Sequence, residues 1–214
     1  MSFEVISLTD MIDNYKECIV KEDNTLSEKA LKKRGKEIFT QFVSSFSCCK
    51  NADCENHLKN KAFDQEVANQ GRTYFIVNSQ KIDEIWGFFS IHIHILDITS
   101  IAIETKQKLL GSGFSNKAIE EISQVESFLI SQICKNDKFK TKIQGKDILA
   151  ETFLIFEKVR QSIGGRFIYL DSIDNEKVIA LYKSIGFVEL KDKHYSEKTK
   201  GFLQSMILPY PRKF

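Results

Sequence analysis

An amide and a phenol lie seven residues apart near the carboxyl end of the sequence. Asn175 and Tyr182 belong to the stretch DNEKVIALYKSIGF, whose spacing predicts a helix that ends at Gly186. Seven residues are about two helical turns, so the two side chains are expected on one side of that helix. Either Asn175 caps the helix and Tyr182 packs in the core, or both side chains contact a ligand that runs along the helix.

A run of basic residues precedes another predicted helix. The segment KTKIQGK, residues 140–146, leads directly into a stretch with helical spacing that continues to Ile163. A helix N-terminus presents free backbone N–H groups and a partial positive charge, so it can hold an anion such as a phosphate. Lys140, Lys142 and Lys146 add positive charge at the same end. The segment is therefore either a phosphate-binding loop or a solvated basic loop.

The composition is that of an ordinary globular domain. The 214 residues are 42% hydrophobic and 28% charged, and 31 basic against 29 acidic side chains give a net charge of +2. So balanced a total gives no general electrostatic case for nucleic-acid or membrane binding. No apolar run reaches the roughly 18 residues of a membrane span, and the N-terminus does not resemble a secretory signal. We therefore expect one cytoplasmic domain over residues 1–214, with no membrane partner.

Cysteine and histidine residues raise the question of a metal site. The candidate zinc ligands are Cys48, Cys49, Cys54 and His57. Their spacing does not repeat the C-x-x-C pattern of structural zinc sites, so we expect no metal and reduced thiols. His92 and His94 alternate with isoleucines and should face one side of a strand. These two histidines line an acceptor site, lie on the surface or form a metal pair that lacks a visible third ligand.

The elements that must position these residues are mixed in type. A polar connection is expected over residues 103–123, and residues 46–70 should contain a turn and then a second helix, ahead of a hairpin. The predicted strands are 3–8, 73–77, 85–95, 125–136, 166–172, 187–190 and 201–209, and the predicted helices are 29–46, 145–163 and 174–186. This order implies an α/β sheet that is mostly antiparallel and contains at least one parallel crossover.

The carboxyl-terminal motif resembles the GNAT acetyltransferase superfamily. In that family an Asn is followed seven residues later by a Tyr and then, four residues on, by Gly-Phe. Asn175, Tyr182, Gly186 and Phe187 match this pattern without departure. The strand before the motif and the strand after it fit the family as well.

The segment QICKNDKFKTKIQGKDIL resembles the acyl-CoA-binding segment of the same family. Ile133–Lys135 falls on the strand end, Phe139 on the aromatic position, and Lys140–Gly145 on the loop that opens a helix. Two positions depart, because Lys135 replaces a usual apolar residue and Ile143 replaces the first glycine of the loop. Glycine there lets the backbone approach the ligand, so the Ile143 side chain must point away from it.

The N-terminal half resembles one branch of the superfamily, which includes toxins that acetylate aminoacyl-tRNA. The matching residues are Phe46, Cys48, Asn51, Leu58, Ala62, Arg72, Thr73, Tyr74, Gly87 and Phe88. The resemblance implies a GNAT fold. That fold has a mixed, mostly antiparallel sheet of six to seven strands, splayed at the acyl-CoA cleft and flanked by about four or more helices.

The resemblance implies acetyl-CoA as cofactor and an amine as acceptor. The strand end would pair with the pantetheine arm, and the loop would hold the pyrophosphate. The implied cofactor-binding residues are Ile133, Cys134, Lys135, Lys140, Thr141, Lys142, Ile143, Gln144, Gly145, Lys146, Asn175 and Tyr182. A backbone N–H near Cys134 would stabilise the thioester oxygen.

Two side chains are candidates for catalysis in the implied reaction. Tyr182 would give a proton to the departing thiolate, and Glu126, on the same predicted strand as Cys134, would take one from the amine. The expected activity is acetyl transfer by direct attack in a ternary complex. The alternatives are a toxin that acetylates aminoacyl-tRNA and a GNAT-fold protein that binds CoA or a partner without catalysis. The acceptor, whether small molecule, protein or tRNA, stays open, as does a homodimer.

Overall fold

A computed structural model describes residues 2–111, 115–190 and 193–209 of the chain. The strands are β1 (Phe3–Ser7), β2 (Arg72–Asn78), β3 (Lys81–Asp97), β4 (Gln124–Lys135), β5 (Phe167–Ile173), β6 (Val188–Glu189), β7 (His194–Ser196) and β8 (Gly201–Pro209). The helices are α1 (Leu8–Glu22), α2 (Glu28–Val43), α3 (Ala52–Asn60), α4 (Ala62–Val67), α5 (Ile103–Leu110), α6 (Asn116–Glu121), α7 (Gly145–Ile163) and α8 (Glu176–Ile185). A 3₁₀-helix covers Asp137–Phe139.

The strands form an open sheet in the order β1-β2-β3-β4-β5-β8-β6, and β7 pairs with β8. The ladders β1–β2, β2–β3, β5–β8, β6–β8 and β7–β8 are antiparallel, whereas β4 and β5 are parallel. The predicted α/β class with a mostly antiparallel sheet is therefore confirmed. The described residues form eight strands rather than the expected six to seven, because β7 was not predicted.

The parallel pair is the crossover that the sequence predicted. Parallel strands need a long connection, and α7 is the helix that provides it. The β4–β5 ladder is short, with Phe128 opposite Ile168 and Leu129 opposite Tyr169. The splay expected at the cofactor cleft would lie beyond these pairs and stays a prediction.

The chain groups into two compact units. The first contains Met1–Ile91 and Gln132–Ile155, and the second contains His92–Ser131 and Phe156–Phe214. Strands β3 and β4 and helix α7 each contribute residues to both units. The expectation of one domain over residues 1–214 stays a prediction.

The core of the first unit packs helices on the β2–β3 hairpin. Ser7 and Ser27 cap α1 and α2 by accepting backbone N–H bonds, which fixes where each helix begins. Aromatic rings then fill the layer: Phe39 lies 5.5 Å from Phe63, and Phe46 lies edge-on to Phe88 at 5.3 Å. Burial of such rings is the main stabilisation of this unit.

The core of the second unit contains two helices where the sequence predicted only a polar connection. Helices α5 and α6 bury Leu109, Leu110 and Ile119 in a cluster with Phe167 and Ile207. The prediction was wrong because the many polar residues of this segment obscured the amphipathic pattern of two short helices. The apolar side of each helix packs in the core. Two glycines, Gly111 and Gly113, lie between these helices, and Gly113 is outside the described residues. Within the described part of the chain, no helix is both long and apolar enough to cross a membrane.

Candidate functional site

The end of β4 is held against β3 by a close approach of the two backbones. A Cβ atom on Gly87 of β3 would lie 2.8 Å from the carbonyl oxygen of Cys134 and 2.8 Å from Cδ1 of Ile148 on α7. Real Cβ atoms do not tolerate such distances, so glycine is required here. Gly87 thus sets the position of the strand end Ile133–Lys135, where the pantetheine arm was predicted to pair.

Asn136 follows β4 and is completely buried. Its Nδ2 donates to the carbonyl oxygen of Ile85 at 2.9 Å, and its backbone N–H donates to that of Trp86 at 2.8 Å. Its Oδ1 accepts the backbone N–H groups of Lys138 at 3.1 Å and Ser47 at 3.4 Å. The bonds of Asn136 therefore link the end of β4 to β3 and stabilise the turn that leads into the loop. Sequence reasoning missed this residue, and its only signal was an Asn-Asp pair directly after a strand.

Asp137 and Lys135 anchor the loop from its two sides. The backbone N–H of Asp137 donates to Ser47 O at 2.8 Å, and its carboxylate accepts the Cys49 N–H at 2.7 Å. Hydrogen bonds from the backbone and the side chain of Cys49 hold the pKa of the Asp137 carboxyl below its usual value. The ammonium of Lys135 donates to the Lys140 carbonyl at 3.2 Å. Lys135, which stands where the GNAT motif has an apolar residue, thus supplies a bond that holds the loop.

The predicted pyrophosphate loop has one buried side chain among exposed ones. Ile143 is 2% exposed, so its side chain lies in the protein interior and away from solvent. The exposed loop residues are Lys140, Thr141, Lys142, Gln144 and Lys146. This arrangement meets the requirement that the Ile143 side chain leave the outer face of the loop open.

The first turn of α7 carries its own acid. The carboxylate of Asp147 accepts the backbone N–H of Gln144 at 2.9 Å, and the Asp147 N–H donates to Gln144 O at 3.1 Å. The side-chain bond is one half of a capping box, in which the acid in the first turn accepts the N–H of the residue before the helix. Helix geometry gives no intrahelical acceptor to the N–H groups of Gly145 and Lys146. An anion at this terminus would meet those donors, the lysines and the Asp147 charge together.

Helix α8 uses its motif residues for capping and packing. Asn175 is exposed, and its Oδ1 accepts the N–H groups of Lys177 at 3.1 Å and Val178 at 3.3 Å. Gly186 ends the helix with φ of 107°, a conformation that favours glycine. Tyr182 is buried and lies edge-on to Phe187 at 5.5 Å. The capping explanation for Asn175 is therefore correct, and contact of Asn175 and Tyr182 with a ligand stays a prediction.

Glu126, the predicted base, is an exposed residue near the start of β4. It belongs to the second unit with Asn175 and Tyr182, whereas Ile133–Lys146 belongs to the first. The structure thus groups the predicted strand end and loop in one compact unit and the predicted catalytic side chains in the other. The base role of Glu126 stays a prediction.

The two alternating histidines, His92 and His94, lie on β3. Both are half-buried, while the flanking Ile93 and Ile95 are 71% and 61% exposed. The His94 ring stacks on Tyr169 at 5.5 Å with an interplanar angle of 15°. No group of three metal-binding side chains is present among the described residues.

A hydroxyl–carboxylate network lies beside His94, and sequence reasoning missed it. Tyr169 donates to Asp171 Oδ1 at 2.6 Å, and Ser205 donates to the same oxygen at 2.7 Å. Burial, together with the neighbouring carboxylate, raises the pKa of Tyr169. The residues lie on β5 and β8, where Asp171 is paired with Ser205. Alternation along β5 places Tyr169 and Asp171 on one face, but the partner strand could not be known from the sequence.

The buried thiols are structural. Cys48, Cys54 and Cys134 lie in the core of the first unit. Hydrogen bonds from the neighbouring thiols, with burial, raise the pKa of Cys134 far above its usual range. This direction of the pKa shift and the burial of the thiol favour a structural role for Cys134 over a nucleophilic one.

Comparison with solved structures identifies the fold. The sequence matches no protein-family model and no curated protein. A structure described as a bacterial toxin is 16% identical, with a TM-score of 0.58 over 80% of this chain and 82% of its own. AtaT complexed with acetyl-methionyl-tRNAfMet is 14% identical, with a TM-score of 0.55 over 75% of this chain and 85% of its own. AtaTR bound with AcCoA is 14% identical, with a TM-score of 0.55 over 97% of this chain and 92% of its own.

The chain has the GNAT fold. The prediction made from the two short motifs is thereby confirmed, and the similar structures include toxins, as the N-terminal resemblance predicted. At identities of 13–16%, these likenesses establish the GNAT fold and leave the reaction to be argued from the residues.

Proposed function

We propose that the chain is an acetyl-CoA-dependent N-acetyltransferase. The observation that carries the proposal is the loop before α7, which is exposed except for the buried Ile143 side chain. A structure of the same fold, AtaTR, was solved with AcCoA. The loop and the first N–H groups of α7 would hold the pyrophosphate, with Lys140, Lys142 and Lys146 supplying positive charge.

Bound acetyl-CoA would supply the acetyl group as an activated thioester. A neutral amine bound beside it would accept the acetyl group, forming a C–N bond as the thioester C–S bond breaks. The Tyr182 hydroxyl is proposed to give its proton to the thiolate, since a phenol can protonate a thiolate once water is excluded. Glu126 or a water chain would accept the proton that the amine loses. Strand residues Ile133–Lys135 would pair with the pantetheine amides.

The test has a binding step and a turnover step. Calorimetry with acetyl-CoA should show binding to the full chain, and a thiol-release assay with a panel of amines should show turnover. Tyr182→Phe should lower turnover by about a hundredfold while acetyl-CoA still binds. Tyr195→Phe, which alters an exposed phenol on β7, is the matched control and should leave turnover unchanged. Absence of binding at millimolar acetyl-CoA would remove the proposal.

A second candidate within the same chemistry is acetylation of the amino group of aminoacyl-tRNA. It is favoured by the similarity to AtaT, which was solved in complex with acetyl-methionyl-tRNAfMet. Incubation with charged tRNA and labelled acetyl-CoA should then transfer label to the aminoacyl group and not to uncharged tRNA. Label transfer to free amines alone would reject this candidate and retain the general one.

A non-catalytic protein that binds CoA or a partner is the third candidate. It is favoured by the Asp147 carboxylate, which occupies the Gln144 N–H at the proposed phosphate site. Asp147→Asn removes that charge and should tighten acetyl-CoA binding. If acetyl-CoA binds but no amine of the panel causes release of the CoA thiol, this candidate is selected. The cytoplasmic location and a homodimer stay predictions.

A further inference from the structure

A polar cluster in the second unit is built around one carboxylate. Cross-strand pairing places Ser205 of β8 opposite Asp171 of β5, and alternation along β5 places Tyr169 on the same face of the sheet. The Tyr169 hydroxyl donates to Oδ1 of Asp171 at 2.6 Å, and the Ser205 hydroxyl donates to the same oxygen at 2.7 Å. These three residues form the Asp171 cluster.

The carboxylate of the Asp171 cluster faces solvent, whereas both hydroxyls are buried. Ser205 is completely buried and Tyr169 is 6% exposed, but Asp171 is an exposed residue. Among the described residues, no donor bonds to the second carboxylate oxygen, Oδ2. The two hydroxyls therefore fix the direction of the carboxylate and leave Oδ2 able to accept a bond from a ligand.

The Asp171 cluster follows the point where β4 and β5 stop pairing. In the described part of the chain, the last pair of that ladder is Leu129 with Tyr169, and Asp171 comes two residues later on β5. Both strands continue in the same direction past this pair, β4 toward Lys135. The cluster therefore lies on the side of the ladder where the sheet is predicted to splay, whereas Glu126 of β4 precedes the ladder.

An aromatic and aliphatic wall supports the carboxylate. The His94 ring stacks on the Tyr169 ring at 5.5 Å with an interplanar angle of 15°. Leu190 and Ile207 are buried in the same core cluster as Tyr169, and the partly buried Leu129 packs against that cluster. An acceptor with a hydrocarbon segment and a cationic group fits such a surface, because the wall offers apolar contact and the carboxylate offers the counter-charge.

A second carboxylate, three residues further along the chain, shows how Asp171 differs from an ordinary surface acid. Asp174 is ion-paired with Lys193, whose Nζ lies 2.6 Å from Asp174 Oδ1. Within the residues that the structure describes, no lysine or arginine forms an ion pair with Asp171. Asp171 thus has hydroxyl partners that orient it but no described cation that neutralises it.

From the geometry of the Asp171 cluster we propose that Asp171 binds a positively charged group of the acetyl acceptor, an inference that rests on the N-acetyltransferase function proposed above. The charged group is separate from the reacting amine. A carboxylate beside an amine stabilises the ammonium form, which has no lone pair for attack on a thioester. The substrate class is therefore an amine that carries a second ammonium or a guanidinium group. Tyr169 and Ser205 are positioning residues that act through Asp171.

Three five-carbon primary amines that differ in the charge of the far end test the proposal on the full chain. They are 1,5-diaminopentane, pentylamine and 5-aminopentanoate, assayed by thiol release from acetyl-CoA at pH 8. Per reactive amine, kcat/KM should be about fivefold higher for 1,5-diaminopentane than for pentylamine, the size of one partly exposed ion pair, and lowest for 5-aminopentanoate. Equal kcat/KM for the diamine and pentylamine would overturn the proposal.

Substitutions separate the charge of Asp171 from its place in the fold. Asp171→Asn keeps an oxygen for the two hydroxyls and removes the charge, so the preference for 1,5-diaminopentane should fall to about parity through KM. Asp174→Asn, the matched control, should keep the fivefold preference. Tyr169→Phe should raise KM for the diamine more than for pentylamine, whereas a purely structural role would change both alike. The same preference in the Asp171→Asn and Asp174→Asn proteins would contradict the proposal.

Calorimetry distinguishes failure of this proposal from failure of the transferase proposal. If no amine releases thiol, the transferase proposal falls, and binding of 1,5-diaminopentane and pentylamine is compared on the parent chain and on Asp171→Asn. Tighter binding of the diamine that is lost in Asp171→Asn retains Asp171 as a cation-binding residue. Absence of diamine binding at millimolar concentration, or equal binding to both proteins, overturns that assignment.

Discussion

The predicted cofactor loop and helix α8 are held in place in opposite ways. The loop depends on partners far along the chain: Asn136 bonds to Ile85, and Asp137 bonds to Ser47 and Cys49. Helix α8 depends on neighbours, since Asn175 accepts the N–H of Val178 and Gly186 ends the helix. The segment that matches its GNAT motif without departure is therefore the one whose geometry is local.

The two segments also differ in how closely they match the GNAT motifs. In α8, Asn175 and Gly186 fix the two ends of the helix, so substitution of either residue would disturb the helix itself. In the loop, hydrogen bonds to distant residues help to fix the backbone. Lys135 and Ile143 are accommodated there although the GNAT motif has other residues at these positions. Lys135 bonds to the Lys140 carbonyl, and Ile143 turns its side chain inward.

The largest expected effect comes from Asn136→Ala. Removing the buried amide leaves the Ile85 carbonyl and the Ser47 N–H without this partner, which should cost about 3 kcal/mol in the free energy of unfolding. Urea denaturation measures the loss, and acetyl-CoA affinity should fall with it. A cost no larger than that of Asn175→Ala would break the contrast between the two segments.

Gly87→Ala should cost about 2 kcal/mol, because its Cβ would overlap the Cys134 carbonyl and the Ile148 side chain. Gly35→Ala is the matched control in the same unit. Its Cβ makes an ordinary contact, so it should stabilise by about 0.5–1 kcal/mol through helix propensity. Thermal denaturation of both variants tests the pair, and a Gly87→Ala protein as stable as the parent would contradict the proposed tight strand approach.

Asn175→Ala should cost about 1 kcal/mol, the usual value of a lost N-cap. Because the cap bonds only to Lys177 and Val178, hydrogen exchange should quicken in the first turn of α8 and stay unchanged in residues 135–146. Faster exchange in the loop as well would show that the helix is not locally determined. Asn175→Asp, which retains the cap acceptor, should restore most of the stability.

The smallest effect is a pH dependence from Tyr15 of α1, which packs against the core of the first unit. Burial raises the pKa of this phenol from 10.0 to about 12. Between these values the unfolded chain loses the proton and the folded chain keeps it, so this contribution to stability is present below pH 10 and lost as pH rises toward 12. The denaturation midpoint of Tyr15→Phe should fall less over this range, and parallel curves would show that Tyr15 makes no contribution.

Local chemistry made much of the fold predictable. Period-2 and period-3.6 patterns located β4, α7 and α8 within a few residues, and Asn175 and Gly186 marked both ends of the last helix. The same reasoning missed α5 and α6, whose apolar residues are few and become informative only when packed. It also missed β7, a strand of three residues that exists by pairing with β8.

The sequence alone determined the order of most elements, the motif of α8 and the basic character of the loop, because these follow from residue type and from spacing along one segment. Only the tertiary structure decided the burial of Ile143, the bonds of Asn136 and the network around Asp171. Each of those features depends on which distant segment packs against the residue. The spacing of residues along the chain does not specify that segment.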